Sequence, residues 1–437
     1  MRTQPSQFII KGGKALSGSI AVLGSKNAAL PILAATLLTE APCTIRNVPR
    51  IEDIFRMIEL IEGIGAKVVW KNERTVEITA KHIDPTKLDD VAISRLRASV
   101  LLVGPLLARQ KKLSFNQPGG CNIGARSLTT HFTGFEALGV TISLRHGVHT
   151  ASGRVRDFYE LEATKLAPTI VTLQEFSVTA TENLILTAAL IPGTTTIKIA
   201  AAEPHVQQLC QVVEQMGAPV EGIGTHTITI KGAKKLKGFD CTLIPDYLET
   251  GTFLIAAAST RSRITITNCA VNDLDLFLEK LRYINVSFDI HRGSKSGTDT
   301  IEVRPSTHYK AFKIDTHPYP GFPTDLQAPM SILATQAEGT SLIHDTLYEG
   351  RMKHVEELNK MGANTIIADP HRALITGPTP LFGQDITSFD IRAGATLIIA
   401  ALVAQGTSTI QNAYQVDRGY EQLDMRLKAL GADIERV

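Results

Sequence analysis

The chain has 437 residues, of which 43% are hydrophobic, and its 45 basic and 43 acidic side chains leave a formal net charge of +2. This length exceeds what one hydrophobic core usually serves and predicts two or more domains, while the balanced charge argues against nucleic-acid binding through bulk positive charge. No apolar run is long enough for a bilayer, no apolar signal core opens the chain, and the five scattered cysteines form no CxxC pair, so we expect a cytoplasmic protein without membrane span, metal site or disulfide framework.

The first predicted element is a β-rich stretch, "QFIIKGGKALSGSIAVLG", at residues 7–24. It precedes the first helix, and we expect it to pair with the C-terminal half of the chain. A pattern then recurs six times, in units of about 73 residues. Each unit has a polar or charged start, an apolar helix, a Gly-Thr-type turn, a short β-rich run and a second, amphipathic helix.

The second helix of each unit ends at a residue suited to a left-handed C-cap. These residues are Gly65, Gly139, Gly217, Asn285, Gly362 and Gly431, at spacings of 74, 78, 68, 77 and 69. Four of them are followed by short β-branched runs, "AKVVW", "VTISL", "VSFDI" and "ANTIIA". These runs predict a strand after the cap.

The first helix of each unit begins beside a charged residue. In chain order these residues are Lys26, Arg97, Glu182, Glu249, Asp325 and Arg392. Backbone N–H groups at a helix N-terminus favour anions, and a basic side chain there opposes the helix dipole. Ordinary capping would explain any single start, but the basic residues of the first, second and sixth units favour a bound anion that offsets the mismatch.

Six such units could stack as a solenoid or form two domains of three. The spacing varies more than in long solenoids, and no polar capping repeat is present, so we favour two domains. We expect the break near residues 237–246, with one domain formed by residues 1–25 and 245–437 and the other by residues 26–244. The cleft between them would collect the charged helix starts.

Four motifs, "GSKNAALPIL", "PGGCNIGAR", "FPTDLQAPM" and "VDRGYEQLDMRLKALGA", resemble the UDP-N-acetylglucosamine enolpyruvyl transferase family, and the resemblance covers the whole chain. The cysteine-containing motif distinguishes that family from the 5-enolpyruvylshikimate-3-phosphate synthases, which share the fold and the "SK" start. The resemblance implies a two-domain inside-out α/β barrel built from six βα repeat units, three per domain.

The resemblance also implies a reaction, in which the enolpyruvyl group of phosphoenolpyruvate moves to the 3-hydroxyl of UDP-N-acetylglucosamine by addition and elimination and phosphate is released. This is the first committed step of peptidoglycan synthesis, and it needs no cofactor. Both substrates are anionic, and the planar fork of arginine suits carboxylate and phosphate groups. The implied substrate-binding residues are Lys26, Asn27, Arg97, Arg126, Ser177, Val178, Asp325, Leu347, Arg351, Arg392 and Arg418, and the implied catalytic residues are Lys26, Cys121, Asp325 and Arg418.

Asp325 and Cys121 would carry the proton transfers. The acceptor hydroxyl must lose a proton as it attacks, and a carboxylate within hydrogen-bond reach is the simplest base. From the residues alone, Thr324 and Asp325 could equally be a plain N-cap pair; the resemblance favours the base. Cys121 lies among glycines that would let its loop close, and Arg126 would lower its pKa. In the implied reaction C3 of phosphoenolpyruvate must gain a proton, and this thiol could donate it or add to the substrate as a thiolate; the resemblance also makes the thiol the target of the epoxide fosfomycin.

The sequence departs from the family near the expected nucleotide pocket. Ser127, Leu128 and Thr129 stand where the family has Pro, an aliphatic residue and Asp. Thr179 replaces Gly, Ala202 and His205 replace a cation and an acid, and Tyr247 replaces Arg.

The departures leave the acceptor open between UDP-N-acetylglucosamine and, in a paralogous enolpyruvyl transferase, another nucleotide or sugar. A non-catalytic metabolite-binding homologue is a further alternative, although it would be expected to have lost Lys26, Cys121 or Asp325. An RNA 3-terminal phosphate cyclase would need a nucleophilic histidine motif, which is not found. We expect a monomer or a weak homo-oligomer.

Overall fold

A computed structural model describes residues 6–119, 127–149, 155–295 and 297–437. Its helices are α1 Lys26–Ala35, α2 Glu52–Gly63, α3 Asp90–Ile93, α4 Val103–Gln110, α5 Thr129–Ala137, α6 Val178–Ala188, α7 Pro204–Gln215, α8 Tyr247–Ser259, α9 Asp275–Ile284, α10 Gln327–Thr335, α11 Lys353–Lys360, α12 Ile391–Val403, α13 Tyr414–Asp417 and α14 Leu423–Ala429. Short 3-10 turns lie at Thr36–Leu38, Pro85–Lys87, Arg97–Leu102, Val271–Asp273 and Thr324–Leu326.

The strands are β1 Phe8–Lys11, β2 Ser17–Ala21, β3 Cys43–Arg46, β4 Lys67–Asn72, β5 Thr75–Thr79, β6 Lys112–Asn116, β7 Thr141–His149, β8 Val155–Glu162, β9 Ile170–Thr172, β10 Gly193–Lys198, β11 Val220–Glu221, β12 Thr227–Gly232, β13 Asp240–Thr242, β14 Arg263–Cys269, β15 Ser287–His291, β16 Asp299–Arg304, β17 Lys313–Asp315, β18 Gly339–His344, β19 Asn364–Asp369, β20 Arg372–Gly377, β21 Asp385–Thr387, β22 Thr407–Gln411 and β23 Asp433–Arg436.

The described residues divide into two compact units. The N-terminal unit comprises residues 24–119 and 127–244, and the C-terminal unit comprises residues 6–23 and 245–437. The N-terminal unit contains the sheets β13-β3-β5-β4, β11-β12-β10-β9 and β6-β8-β7. The C-terminal unit contains the sheets β21-β22-β1-β23, β15-β16-β14-β2 and β17-β18-β20-β19. Three sheets in each unit agree with the predicted fold class of six βα repeat units.

Five of the six sheets in the described chain share one plan. A short strand pairs in parallel with a longer one, and the remaining strands are antiparallel. The parallel pairs are β13 with β3, β9 with β10, β2 with β14, β17 with β18, and β21 with β22. Along the described residues of the sixth sheet, β8 pairs antiparallel with both β6 and β7. The repeat seen in the sequence is therefore a repeat of sheet topology.

The predicted ends of the second helices are confirmed. All six cap residues have a left-handed φ, from 72° at Asn285 to 106° at Gly65. A left-handed φ suits Gly, and Asn more than most other residues. The four predicted runs that follow these caps lie in β4, β7, β15 and β19.

The first helices of the repeats form the centre of each unit. In the C-terminal unit, α8, α10 and α12 pack on one another, and every residue of α8 and α10 is buried. In the N-terminal unit, α6 packs on α1, on α4 and on the 3-10 turn Arg97–Leu102. These segments are apolar on nearly all sides, as expected for helices with neighbours all round. None of the helices in the described ranges is long and apolar enough to cross a membrane.

The N-terminal stretch pairs with the C-terminal half, as predicted, but it forms two strands rather than one. Strand β1 lies between β22 and β23, whereas β2 pairs with β14 in a different sheet. The chain turns between them at Gly12 and Gly13. Gly13 has a φ of +82°, and a Cβ on Gly12 would lie 2.2 Å from two carbonyl oxygens of the loop after α12 and of α12 itself.

One predicted helix start is wrong. Glu182 does not stand at the start of α6, because Ser177 caps this helix by accepting a hydrogen bond from the Ala180 N–H at 3.4 Å. The helix therefore begins at Val178, and Glu182 is buried in its second turn.

Candidate active site

An ion-pair cluster occupies the starts of two packed helices in the C-terminal unit. Asp325 lies in the 3-10 turn before α10, and Arg392 is the second residue of α12. One carboxylate oxygen of Asp325 lies 2.7 Å from Arg351 Nη1, and the other accepts a hydrogen bond from Arg392 Nε at 3.0 Å. Because α10 packs on α12, residues 67 positions apart in sequence come into direct contact.

These contacts decide the charge of Asp325. Burial opposes ionisation of its carboxyl, but the charges of Arg392 and Arg351 outweigh burial and hold its pKa well below the usual range. The alternative of a plain N-cap pair is wrong, since the side chain of Asp325 caps neither the 3-10 turn nor α10 and instead binds two arginines.

Tyr420 supports Arg392 and was not identified from the sequence. Its hydroxyl accepts a hydrogen bond from Arg392 Nη1 at 2.9 Å and lies 2.8 Å from Thr252 Oγ1 on α8. The guanidinium also lies over the ring, 5.3 Å from its centroid. Burial raises the pKa of Tyr420 although the adjacent Arg392 charge lowers it, so the hydroxyl is neutral. A signal was available, because Tyr420 follows Arg418 by two residues in the motif "DRGYEQ".

Asp390 and two candidates from the sequence, Arg418 and Leu347, lie in the same unit as the cluster. Asp390 caps α12 by accepting hydrogen bonds from the Arg392 N–H at 2.8 Å and from the next N–H at 2.9 Å. Arg418 follows α13, is buried, and donates to Gln415 Oε1 at 3.0 Å. Leu347 is 38% exposed in the loop between β18 and α11. The cap at Asp390 therefore fixes the start of α12, which carries Arg392.

Lys26, a candidate in the N-terminal unit, forms an ion pair with Asp53. It is the first residue of α1, behind the N-cap Ser25, and its ammonium lies 2.7 Å from Asp53 Oδ2. Both side chains are largely buried, at 11% and 7% exposure. Asp53 lies in the first turn of α2, where a carboxylate also complements the helix dipole. Asn27 follows Lys26 and is partly buried. The sequence did not single out Asp53, although acidic residues open α2 in "RIEDIF".

A series of buried hydrogen bonds includes Thr179, which directly follows Ser177 and Val178 in the sequence. Asn183 Oδ1 accepts from the Gly104 N–H at 2.8 Å, which assigns its amide nitrogen as the donor toward His131 Nδ1 at 3.2 Å. His131 Nε2 therefore carries the hydrogen and donates to Thr179 Oγ1 at 3.0 Å. Burial and the nearby charge of Arg97 lower the pKa of His131 to about 3, so the imidazole is neutral.

The departures from the family pattern are thus tied to the predicted acceptor residues. Thr179 lies in the first turn of α6 with Val178, directly after the cap Ser177. Ser127 and Thr129 bond to each other through their hydroxyls at 2.5 Å, and Thr130 donates to Glu175 Oε1 at 2.8 Å. Two polar pairs, Ser127–Thr129 and Thr179–His131, therefore include residues at which the sequence departs from the family pattern.

Cys121 and Arg126 lie outside the described residues. The four cysteines that the structure describes, Cys43, Cys210, Cys241 and Cys269, are buried free thiols. Burial raises the pKa of Cys43 to about 11 and those of the other three to about 12. These four are poor nucleophiles at neutral pH. In the described part of the chain, no group of three or more His, Cys, Asp or Glu side chains is arranged to hold a metal ion.

A family model confirms the class of protein that the fold and the motifs indicate. The model, EPSP synthase (3-phosphoshikimate 1-carboxyvinyltransferase), matches residues 10–427, and the chain belongs to this family of enolpyruvyl transferases. It is 39% identical over 431 residues to a UDP-N-acetylglucosamine 1-carboxyvinyltransferase of Treponema denticola, covering 98% of this chain and 99% of that protein. A protein of the same name from Bradyrhizobium diazoefficiens is 42% identical over 442 residues, covering 99% and 98%.

Two solved structures show the same fold. The enolpyruvyl transferase NikO from Streptomyces tendae matches with a TM-score of 0.87 and 26% identity over 99% of both chains. An EPSP synthase from Acinetobacter baumannii matches with a TM-score of 0.73 and 18% identity, over 99% of this chain and 100% of that one, and supports the fold alone.

Proposed function

We propose that this protein transfers the enolpyruvyl group of phosphoenolpyruvate to the 3-hydroxyl of UDP-N-acetylglucosamine and releases phosphate, as the first committed step of peptidoglycan synthesis. The observation that carries the proposal is the largely buried cluster of Asp325, Arg351 and Arg392, because it combines a candidate base with two cations. Full-length similarity to proteins named for this activity supports the choice of substrates.

The addition step needs a base for the acceptor hydroxyl. The oxygen of the acceptor bonds to C2 of phosphoenolpyruvate, its proton leaves, and C3 gains a proton. A general base works best with a pKa near the operating pH, whereas both arginines depress the pKa of Asp325. Substrate anions that engage Arg351 and Arg392 would weaken their hold on Asp325 and raise its pKa. Binding would therefore activate the base at the moment it is needed.

The elimination step then breaks the bond between C2 and the phosphate oxygen, and C3 loses a proton to restore the double bond. We assign Lys26, Arg126 and Arg418 to phosphoenolpyruvate, and Cys121 to proton donation at C3. We assign Asn27, Arg97, Ser177, Val178 and Leu347 to the acceptor. The buried partner Asp53 would keep the Lys26 ammonium oriented.

A second candidate is transfer to a different nucleotide or sugar. The polar pairs Ser127–Thr129 and Thr179–His131 favour it, because they place hydrogen-bonding side chains at positions where the sequence departs from the family pattern. The similarity to NikO shows that an enolpyruvyl transferase with another name has the same fold at 26% identity. A retained fold with a changed pocket is the expected signature of a changed substrate.

Phosphate release distinguishes the two candidates. Incubation with phosphoenolpyruvate and UDP-N-acetylglucosamine should release phosphate and form an enolpyruvyl ether of the sugar nucleotide, detected by mass spectrometry. Release with other nucleotide acceptors, but not with this one, would support the second candidate. An absence of release with every acceptor would support a metabolite-binding homologue. We also propose a cytoplasmic location, which suits the free thiols among the described residues.

A further inference from the structure

Asp345 carries a buried carboxylate that none of the proposed reaction steps uses. It follows β18 directly, and its side chain is fully buried. A buried carboxylate is costly unless hydrogen bonds satisfy it. In this protein the hydrogen bonds come from the turn that carries Asp325, from the loop that carries Leu347 and from Thr316 directly after β17.

The first set of bonds reaches the turn of Asp325. Thr324 precedes Asp325, and its hydroxyl donates to Asp345 Oδ2 at 2.5 Å. The carbonyl of Thr324 in turn accepts from Arg351 Nη1 at 3.1 Å, the same nitrogen that contacts Asp325. Thr324 thus links Asp345 to both members of this ion pair.

The second set reaches the loop after β18. Asp345 Oδ1 accepts from the N–H groups of Leu347 and Tyr348, both at 3.0 Å, and from Thr316 Oγ1 at 3.2 Å. Thr316 also receives the N–H of Thr346 at 3.0 Å on its hydroxyl. Two backbone donors on one carboxylate oxygen fix the loop conformation more firmly than a side-chain contact would, because they constrain the main chain itself.

We propose that Asp345 is a positioning residue that holds the turn of Asp325 and the loop of Leu347 in one geometry. The inference rests on the proposed function, in which Asp325 takes the acceptor proton and Leu347 contacts the acceptor. Displacement of a reacting group by about 1 Å can cost about 100-fold in rate. A carboxylate shared by both segments sets the distance between base and acceptor.

Three substitutions test this role. Thr324→Val detaches only the turn of Asp325, so kcat should fall about ten-fold with both KM values within about two-fold of wild type. Asp345→Ala detaches both segments, so kcat should fall about 100-fold and the KM for the acceptor should rise. Asp345→Asn keeps an acceptor at Oδ1 and an amide that can donate to the Thr324 hydroxyl, so it should rescue kcat to within about five-fold of wild type.

Thr335→Val is the matched control, because it removes a buried hydroxyl that donates to the Ile332 carbonyl in the same helix α10 and leaves the turn intact. Its kcat should match that of the wild type. Thermal unfolding of each variant separates lost stability from lost rate.

If the wild-type protein releases phosphate and kcat is unchanged in both Thr324→Val and Asp345→Ala, the positioning role is overturned but the proposed function is not. Should Asp345→Ala not fold, unchanged kcat in Thr324→Val would still overturn it. A wild-type protein that releases no phosphate would overturn both this role and the proposed function.

Discussion

Asp325 is an acid whose charge two arginines secure, and this arrangement predicts how its amide variant behaves. Asp325→Asn keeps the size of the side chain but removes the negative charge, so it cannot take the acceptor proton. We expect kcat to fall by about 100-fold or more, with KM values changed far less. Steady-state kinetics with both substrates would measure the split. A kcat within about two-fold of wild type would remove Asp325 from the proposed mechanism.

Thiol reactivity gives a second prediction for a single residue. Because Cys43, Cys210, Cys241 and Cys269 are buried with raised pKa values, an epoxide such as fosfomycin should label Cys121 and leave these four unmodified. Peptide mass spectrometry would locate the adduct. Cys121→Ser should abolish labelling, and Cys43→Ser should leave it unchanged. An adduct on any other cysteine would show that the reactive loop is wrongly assigned.

The sequence predicted the chemistry of individual residues better than their partners. The sequence predicts a role in substrate binding for each of Asp325, Arg351 and Arg392. The contact of Asp325 with Arg392, however, depends on the packing of α10 on α12. Asp53 and Tyr420 lie 27 and 28 residues from the side chains that they support. A local motif can draw attention to Tyr420 or Asp53 by itself, but it does not identify the partner, because helix packing creates the contact.

Helix ends followed simple rules in the sequence, whereas helix starts needed the caps to be identified. The glycine and asparagine C-caps could be placed because a left-handed φ restricts residue type. The starts of α1, α6, α8 and α12 are set by Ser25, Ser177, Asp246 and Asp390. In α6 the charged residue is therefore a poor guide to the start, because Ser177 caps the helix five residues before Glu182.

The burial of Glu182 in α6 leads to a prediction about stability. Burial and the charge of Glu203 raise its pKa well above the usual value, and its Oε1 has no hydrogen-bond partner. His205 Nε2 lies 4.0 Å from this oxygen. When folding raises the pKa of a group, the group's contribution to the free energy of unfolding is complete below its pKa in the unfolded state. That contribution is lost as the pH rises toward and through its pKa in the folded state.

Glu182→Gln removes this titration while keeping the shape of the side chain. We expect the variant to have a thermal midpoint higher than wild type by about 2–4 °C at pH 8, and a smaller difference at pH 5. Thermal unfolding across this pH range would test it, with the exposed Glu136→Gln of α5 as control. A variant that is less stable than wild type at pH 8 would indicate that ionised Glu182 is stabilised by its surroundings.

On the scale of the whole molecule, the sequence predicted six βα units and the pairing of the N-terminal stretch with the C-terminal half, but not the strand order that results. The period of about 73 residues marks each βα unit because each has its own cap and helix pair. The C-terminal unit, however, contains the first strand, β1, between β22 and the last strand, β23. Strand order of this kind depends on contacts between residues about 400 positions apart, which periodicity does not report.

This arrangement predicts that the first strand is needed for stability of the C-terminal unit. Phe8 on β1 is fully buried, pairs with Arg436 of β23, and lies under its guanidinium at 4.6 Å. Phe8→Ala should therefore lower the free energy of unfolding by about 3–5 kcal/mol. Phe382→Ala, which removes a ring that is 47% exposed in the same unit, should cost about 1 kcal/mol or less. Denaturant unfolding of the full chain would compare the two. Equal losses in both variants would contradict the prediction, because the buried Phe8 ring would then contribute no more than an exposed one.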